Sequence, residues 1–198
     1  MLATVHRQGT LLQNLIQELL DLSRIEARQG KDFHIVPTSL CEIVENAVKG
    51  ITNVDAGRVV QMDTPLPLLT VMADSTKIEQ ALTNLLSNAF KYSPDGGTVS
   101  LRAEETSHDG DPCVLIHVCD QGIGMTPEQL ERAFERFFRA DTSGNIPGTG
   151  LGLKLVKEIA EIHGGDVSLA SQIGVGTVAT LRLRLATADM SEQLSPAP

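Results

Sequence analysis

Apolar residues recur every three or four positions through the first 28 residues of the chain. This spacing is typical of a coiled-coil seam and predicts one long helix. Because a single helix cannot bury such a stripe alone, we expect it to join a helical bundle with other chains or with sequence outside this one. The stripe contains Val5, Leu12, Leu15, Leu19 and Leu22.

Beyond Gly30 the pattern alternates between short apolar runs and segments of helical period. The runs, bounded by turn residues, predict strands at 33–36, 54–62, 68–72, 98–104, 113–120, 166–170 and 177–185. The periodic segments predict helices at 40–48, 77–92, 127–134 and 151–163, with Asp74 as the N-cap of the second. The predicted fold class is α/β, a two-layer sandwich of a mixed sheet and three helices, preceded by one long bundle helix.

Turn and loop residues set the predicted boundaries. Pro37 is expected to break the chain after the strand 33–36, and the polar segment 107–112 is expected to be a loop. Residues 141–149 carry almost no apolar side chains and predict a mobile loop. The predicted organisation is a helical segment 1–30, a sandwich domain 33–186 and a disordered polar tail 187–198.

The composition of the chain argues against several classes of function. The 198 residues carry a net charge of −9 without a basic cluster, which argues against a nucleic-acid surface. No apolar run approaches the roughly 18–20 residues that span a bilayer, so we expect a cytoplasmic, soluble chain. Cys41, Cys113 and Cys119 are widely spaced and predict free thiols in a reducing compartment, not a metal site.

A carboxylate at the end of the predicted strand 113–120 is followed by two closely spaced glycines. Burying a carboxylate is costly unless a donor reaches it, and glycines let a flat ligand approach the backbone closely. We interpret Asp120 as the acceptor for the amino group of a purine lying against the glycines. A tight turn with a local cap is the alternative. The segment reads Asp120-Gln121-Gly122-Ile123-Gly124-Met125.

The predicted helix 77–92 carries polar residues along one edge. Asn84 and Asn88 lie one turn apart, and asparagine is a poor residue inside a helix unless another interaction compensates. An amide oxygen is a suitable ligand for Mg²⁺, which usually bridges to phosphates. Lys91 could reach a phosphate and Tyr92 could place its ring beside a base. A solvated polar edge is the alternative.

A second glycine cluster leads directly into the helix 151–163. Free N–H groups and the helix dipole at such a start favour an anion such as a triphosphate, although the spacing is not that of a Walker loop. A flexible linker is the alternative. Arg136 and Arg139, among three phenylalanines before the loop, could meet phosphate oxygens. The cluster reads Gly148-Thr149-Gly150-Leu151-Gly152-Leu153.

None of the five histidines is assigned to catalysis, because each lies alone on a helix, within a strand or near a turn. His6 lies on the leading helix without an acidic and arginine context.

Taken in order, these segments resemble four sequence boxes of the sensor histidine kinases of two-component systems. Residues 84–94 resemble the N box, 120–124 the G1 box, 134–139 the F box and 148–153 the G2 box. Residues 19–27 are similar to the second helix of the family's dimerisation domain. The resemblance spans nearly the whole chain apart from the tail.

The resemblance implies a Bergerat-type ATPase fold that binds ATP and Mg²⁺ and transfers the γ-phosphoryl group to a histidine. By box position, Asp120 would read adenine and Asn88 would hold the metal, with Asn84 close by. The implied catalytic residues are Asn84, Asn88, Lys91 and Arg139. The remaining implied contacts to the nucleotide are Tyr92, Gly122, Ile123, Gly124, Met125, Arg136, Gly148, Thr149, Gly150, Leu151, Gly152, Leu153 and, more weakly, Thr177.

The family's phosphoacceptor motif is not found in this sequence. We therefore expect the histidine to lie on a helix outside this chain, and the chain to bind ATP–Mg²⁺ without phosphorylating itself. The implied partners are that histidine-bearing helix, a response regulator and a second copy bound through residues 1–30. A membrane would be reached only through an N-terminal region outside this chain.

Two other functions stay open at this point. Gyrase-type and mismatch-repair ATPases share the implied fold but place a glutamate base where this chain has Asn84, so hydrolysis here should be slow. A nucleotide-binding module without catalysis is the other alternative, and the four intact boxes argue against it.

Overall fold

A computed structural model describes residues 2–54, 59–62, 66–93, 96–140, 146 and 148–187, with the side chains of 2–8, 10–11 and 52–54 excepted. The helices are α1 (Leu2–Arg28), α2 (Leu40–Val54), α3 (Ser75–Lys91), α4 (Pro127–Arg132) and α5 (Gly152–Ile162). The strands are β1 (Val36–Ser39), β2 (Val60–Met62), β3 (Thr70–Ala73), β4 (Val99–His108), β5 (Asp111–Asp120), β6 (Asp166–Gln172) and β7 (Gly176–Arg184).

Five strands form one mixed sheet in the order β2-β4-β5-β7-β6. β2 pairs with β4 in parallel, and the other pairs are antiparallel. A separate antiparallel pair, β1 and β3, is joined to the end of β7 by the bridge between Val71 and Leu185. The predicted α/β sandwich with a mixed sheet is confirmed.

The hydrophobic core lies between one face of this sheet and the layer formed by α2, α3 and α5. On β5, alternate residues Val114, Ile116 and Val118 are buried, as the period of two in a strand requires. α3 and α5 bury Leu82 and Ile159 against them at helical spacing. The long helices and central strands were predicted correctly because each has one strongly apolar face.

Three boundary predictions are wrong. The segment predicted as a strand at 54–62 contains the end of α2 and only the short β2, with 55–58 outside the described residues. The strand predicted at 33–36 lies instead at Val36–Ser39, so Pro37 does not break the chain. Pro37 lies inside β1, which among the described strands pairs only with β3, and its missing N–H therefore costs no interior hydrogen bond. The predicted loop 107–112 is a tight turn at Asp109 and Gly110, both with positive φ, and β4 and β5 continue to it.

The predicted helix at the start of the chain is confirmed as α1, and it has two different faces. Leu22 and Ile25 are buried, at 1% and 4% exposure, and α1 packs against α5. Leu12, Ile16 and Leu20 remain exposed on the part of α1 whose side chains are described. We call these three residues the exposed stripe.

Two predicted features fall partly or wholly outside the description. Residues 188–198, most of the predicted tail, are not described, and neither are 141–145 and 147 of the predicted mobile loop. Within the described part of the chain, no helix combines the length and apolarity needed to cross a membrane.

The start of α3 is fixed by Asp74 and by a buried histidine of α5. Asp74 is the N-cap, as predicted, and its Oδ1 accepts from the N–H of Lys77 at 3.2 Å. The imidazole of His163 donates from Nδ1 to the carbonyl of Ile159 at 2.7 Å, so its Nε2 accepts from the N–H of Asp74 at 3.0 Å. This contact holds the neutral ring and joins the end of α5 to the start of α3.

We predict that protonation of His163 lowers the free energy of unfolding in mild acid. Burial lowers the pKa of His163 below its ordinary value of 6.5, so the unfolded chain binds more protons below that pH. The contribution of His163 to the free energy of unfolding should be complete above pH 6.5 and decrease as the pH falls towards the pKa of the folded state. Urea unfolding at several pH values from 7.5 to 5.5 measures this loss.

The variant His163→Gln keeps an acceptor for Asp74 without titrating and should lose less stability over this range. The control His108→Gln, at an exposed site, should keep the wild-type dependence. An equal loss in His163→Gln and wild type would contradict the prediction.

Candidate functional site

A cavity opens between the C-terminal end of β5, one edge of α3 and the segment that precedes α5. Its inner compartment is mostly apolar and has Asp120 and Thr177 at one end. The apolar lining comes from α3, α5, the sheet and the residues on both sides of α4. Its members are Leu85, Ala89, Val118, Met125, Ala133, Phe138, Ala140, Leu153, Leu169 and Ala179.

Asp120 is the polar anchor of the inner compartment. Its Oδ1 accepts from the backbone N–H groups of Gly122, at 2.9 Å, and Thr177, at 3.2 Å. Among the residues that the structure describes, none donates to Oδ2. Burial raises the pKa of Asp120, and the two backbone donors partly oppose this. One carboxylate oxygen is thus fixed while the other stays available to a ligand.

The two glycines after Asp120 allow three chain segments to meet. A Cβ at Gly122 would collide with the carbonyl of Tyr92, and a Cβ at Gly124 with the carbonyl of Gln172. The N–H of Ile123 donates to the Tyr92 carbonyl at 2.9 Å. The segment therefore contributes its backbone, whereas the side chain of Ile123 points out and is 39% exposed.

An outer, more polar compartment adjoins the inner one. The predicted edge of α3 lines it with Asn84, Asn88, Lys91 and Tyr92, and Asn88 and Tyr92 line both compartments. Desolvation lowers the pKa of Lys91, although the residue as a whole is exposed, and the carboxylate of Glu18 partly opposes the shift. Perturbed acids and bases that share a cleft are typical of functional sites.

The second glycine cluster forms the opposite wall of the outer compartment. Gly148, Thr149, Gly150, Gly152 and Leu153 line it. α5 begins at Gly152, and its N-terminal residue contributes no side-chain cap. Backbone N–H groups of the first helical turn have no partner within the helix, so this wall can bind an anion.

The two predicted arginines lie outside both compartments. Arg136 forms an ion pair with Glu26 of α1, and Arg139 donates to the carbonyl of Ile146. Phe137 and Phe138, rather than the arginines, contact the glycine cluster and the compartments. Phe137 donates from its N–H to the Gly150 carbonyl at 2.9 Å, and Phe138 lines both compartments.

The sequence did not point to two residues of the site. Glu18 of α1 lines the outer compartment and accepts from the hydroxyl of Thr149, 131 residues away. Ser171 of β6 accepts from the N–H of Met125 at 2.9 Å and contacts the hydroxyl of Thr177. A glutamate on a helix and a serine on a strand are ordinary at those positions, so no local pattern could have identified them.

Together the compartments suit a ligand with a flat base and an anionic tail. The inner one offers apolar walls and a fixed carboxylate for a donor group. The outer one offers amide oxygens, an ammonium and helix N–H groups.

Comparison with known proteins agrees with this geometry. A family model described as histidine kinase-, DNA gyrase B-, and HSP90-like ATPase matches residues 73–187. The histidine protein kinase DivJ of Caulobacter vibrioides is 36% identical over 94% of this chain and 31% of its own length. The sensor-like histidine kinase SenX3 of Mycobacterium tuberculosis is 36% identical over 89% of this chain and 42% of its own. The chain thus spans less than half of these relatives.

Solved structures show the same architecture. Full-length ShkA in complex with AMPPNP superposes with a TM-score of 0.76 at 26% identity, over 94% of this chain and 38% of that one. The mycobacterial sensor histidine kinase MprB superposes with a TM-score of 0.66 at 27% identity, over 76% of this chain and 98% of that one.

We predict that Gly122→Ala destabilises the fold. The new methyl group would overlap the Tyr92 carbonyl, and overpacking of this kind costs about 1–3 kcal/mol of the free energy of unfolding. The control Gly50→Ala, with open space around it in α2, should be neutral or stabilise by up to about 1 kcal/mol. Urea unfolding measures both, and equal stability of the two variants would contradict the prediction.

Proposed function

This chain belongs to the histidine kinase-, DNA gyrase B-, and HSP90-like ATPase family, as an ATP-binding domain of the two-component sensor histidine kinase type, and from this premise we propose that it binds ATP with Mg²⁺. The γ-phosphoryl group then passes to a histidine on a separate dimerisation helix, for relay to a response regulator. The main support for the proposal is the carboxylate of Asp120, which lies in an apolar compartment with backbone donors on Oδ1 and none from the described residues on Oδ2.

Asp120 gives the site its preference for adenine. Oδ1 is held by two backbone donors, and none of the described residues donates to Oδ2, which is left to accept from the ligand. The exocyclic amino group of adenine is a donor at the edge of a flat apolar ring, which matches both the carboxylate and the surrounding walls. A guanine would present a carbonyl oxygen to the same carboxylate and be repelled.

The outer compartment suits the phosphates and the metal. Asn88 borders both compartments, and its amide oxygen, with that of Asn84 nearby, is of the hard oxygen type that Mg²⁺ prefers. When bound, Mg²⁺ neutralises charge on the phosphates. Lys91 and the first-turn amides of α5 bind phosphate oxygens and fix their orientation.

Phosphoryl transfer requires little covalent chemistry from these residues. They orient the triphosphate and stabilise the charge that develops on it, while the acceptor histidine supplies the attacking nitrogen. Hydrolysis by water would need a base in place of the amide of Asn84, and an amide cannot take a proton. Transfer to a protein histidine is therefore favoured over rapid ATP hydrolysis.

We predict that Asp120→Asn weakens ATP binding more than about tenfold, because a hydrogen bond to a charged acceptor is lost. Calorimetric titration with a non-hydrolysable ATP analogue, with and without Mg²⁺, measures the affinity. The matched control Asp166→Asn changes an exposed carboxylate that pairs with Arg182 and should bind as wild type does. Wild-type protein without magnesium-dependent preference for adenine over guanine nucleotides would contradict the proposal.

A transfer assay separates the functions. With γ-labelled ATP, a separately supplied histidine-bearing dimerisation hairpin should acquire acid-labile label while this chain stays unlabelled. Binding without transfer would favour a nucleotide-binding module. Rapid release of phosphate that is lost on Asn84→Ala would favour an ATPase.

Glu18 places a negative charge where the phosphates are proposed to bind. Its carboxylate accepts from Thr149 and acts on Lys91 across the outer compartment. Two further polar contacts hold the same face of α1, from Gln80 to Asp21 at 3.0 Å and from Arg136 to Glu26. Because like charges repel, this position of α1 opposes binding of a triphosphate.

We predict that Glu18→Gln strengthens binding of the ATP analogue about three- to tenfold, since a single partly exposed charge is removed. Affinity for adenosine, which has no phosphates, should not change, and the gain should shrink in high salt. Glu45→Gln, at an exposed pair with Lys49, is the matched control. Weaker binding by Glu18→Gln would mean that Glu18 assists the metal instead.

A further inference from the structure

Ser171 is the third member of a row that crosses three strands at the end of the inner compartment. Asp120 on β5 is paired directly with Thr177 on β7, and Thr177 is paired directly with Ser171 on β6. Asp120 and Thr177 line the compartment, whereas Ser171 does not. The side chain of Ser171 therefore acts on a ligand through the lining residues that it contacts, Thr177 and Met125.

The hydroxyl of Ser171 makes three contacts with one proton. It accepts from the N–H of Met125 at 2.9 Å. The carbonyl of Gly176 lies 3.0 Å from Oγ, and a carbonyl can only accept, so the proton of Ser171 goes to Gly176. The third contact, 2.8 Å between Oγ of Ser171 and Oγ1 of Thr177, allows either donor by itself, and all three contacts are hydrogen bonds together only if Thr177 donates.

The direction of this last hydrogen bond fixes what Thr177 presents to the ligand. With its proton committed to Ser171, Thr177 has only lone pairs left for the compartment. Oδ2 of Asp120 likewise has lone pairs only. The two polar groups at this end of the inner compartment, Asp120 and Thr177, are therefore both acceptors.

We propose that Ser171 is a positioning residue for base specificity, because it keeps the Thr177 hydroxyl from donating. A 6-amino purine has two N–H groups, one for Asp120 and one for Thr177. A 6-oxo purine places a carbonyl oxygen against two acceptors. This inference rests on the proposed binding of adenine nucleotides and adds a second selective contact to that of Asp120.

Removal of the Ser171 hydroxyl would free the proton of Thr177. Thr177 could then rotate and donate to a carbonyl at position 6, so the 6-oxo purine would gain a hydrogen bond that wild type denies it. The ratio of the dissociation constants for IDP and ADP reports this directly. Both nucleotides are measured for every variant, so any effect that weakens the two equally cancels in the ratio.

The experiment measures that ratio by calorimetry, with Mg²⁺, for wild type, four single variants and one double variant. Ser171→Ala should lower it about three- to tenfold, as expected for one neutral hydrogen bond. Ser171→Thr, which keeps a hydroxyl, should retain the wild-type ratio. Ser168→Ala, an exposed serine on the same strand, is the matched control and should also retain it. Thr177→Val should lower the ratio, and Ser171→Ala should have no further effect in that background.

The outcomes separate the inference from the proposed function. If Ser171→Ala weakens ADP and IDP binding equally, Ser171 only supports the fold and the inference is overturned. If Ser171→Ala does not fold, Thr177→Val decides, since an unchanged ratio there also overturns it. If wild-type protein binds ADP and the variants do not change the ratio of the dissociation constants for IDP and ADP, the inference is overturned and the proposed function still stands. Wild-type protein that binds neither nucleotide overturns both.

Discussion

The burial of one carboxylate at the end of β5 constrains everything around it. Asp120 is removed from water and would be costly there without donors, so the backbone must supply N–H groups on one side. This requires β7 to lie in register with β5 and the chain after Asp120 to turn back at once. The turn is possible because Gly122 and Gly124 leave space for the carbonyls of Tyr92 and Gln172. Fold and site are therefore built by the same backbone contacts.

The two compartments divide recognition between different kinds of interaction. The inner one combines apolar walls with few, well-fixed polar groups, so it selects by shape and by hydrogen-bond direction. The outer one has more polar groups on elements from distant parts of the chain, α3, α5 and α1, and is suited to a charged ligand group. Asn88 and Tyr92, at the end of α3, border both compartments. The contact between His163 and Asp74 joins α3 to α5, the two helices that line both compartments.

The sequence predicted those parts of the molecule that bury a regular apolar face or carry an ordered motif. α3, α5, β5 and the residues Asp120, Asn84, Asn88 and Lys91 were all found this way. The prediction failed at the far end of β4, where residues 104–108 are exposed on both faces and resemble a loop, although Asp109-Gly110 is a strong hairpin signal. It also failed for Glu18 and Ser171, whose roles arise only from contacts between segments far apart along the chain. The two arginines were expected at the phosphates because of their charge, but Arg136 meets Glu26 of α1 instead.

Helix α1 connects an exposed apolar stripe to the wall of the outer compartment. Glu18 lies at the wall of the outer compartment and Glu26 pairs with Arg136 beside it, while the exposed stripe of Leu12, Ile16 and Leu20 makes no part of that wall. A 27-residue helix is about 40 Å long and nearly rigid. A rotation of α1 about its axis, imposed by a partner bound to the stripe, would move the carboxylate of Glu18 away from the outer compartment. Torque applied at one end of the helix would thus change the electric field inside that compartment.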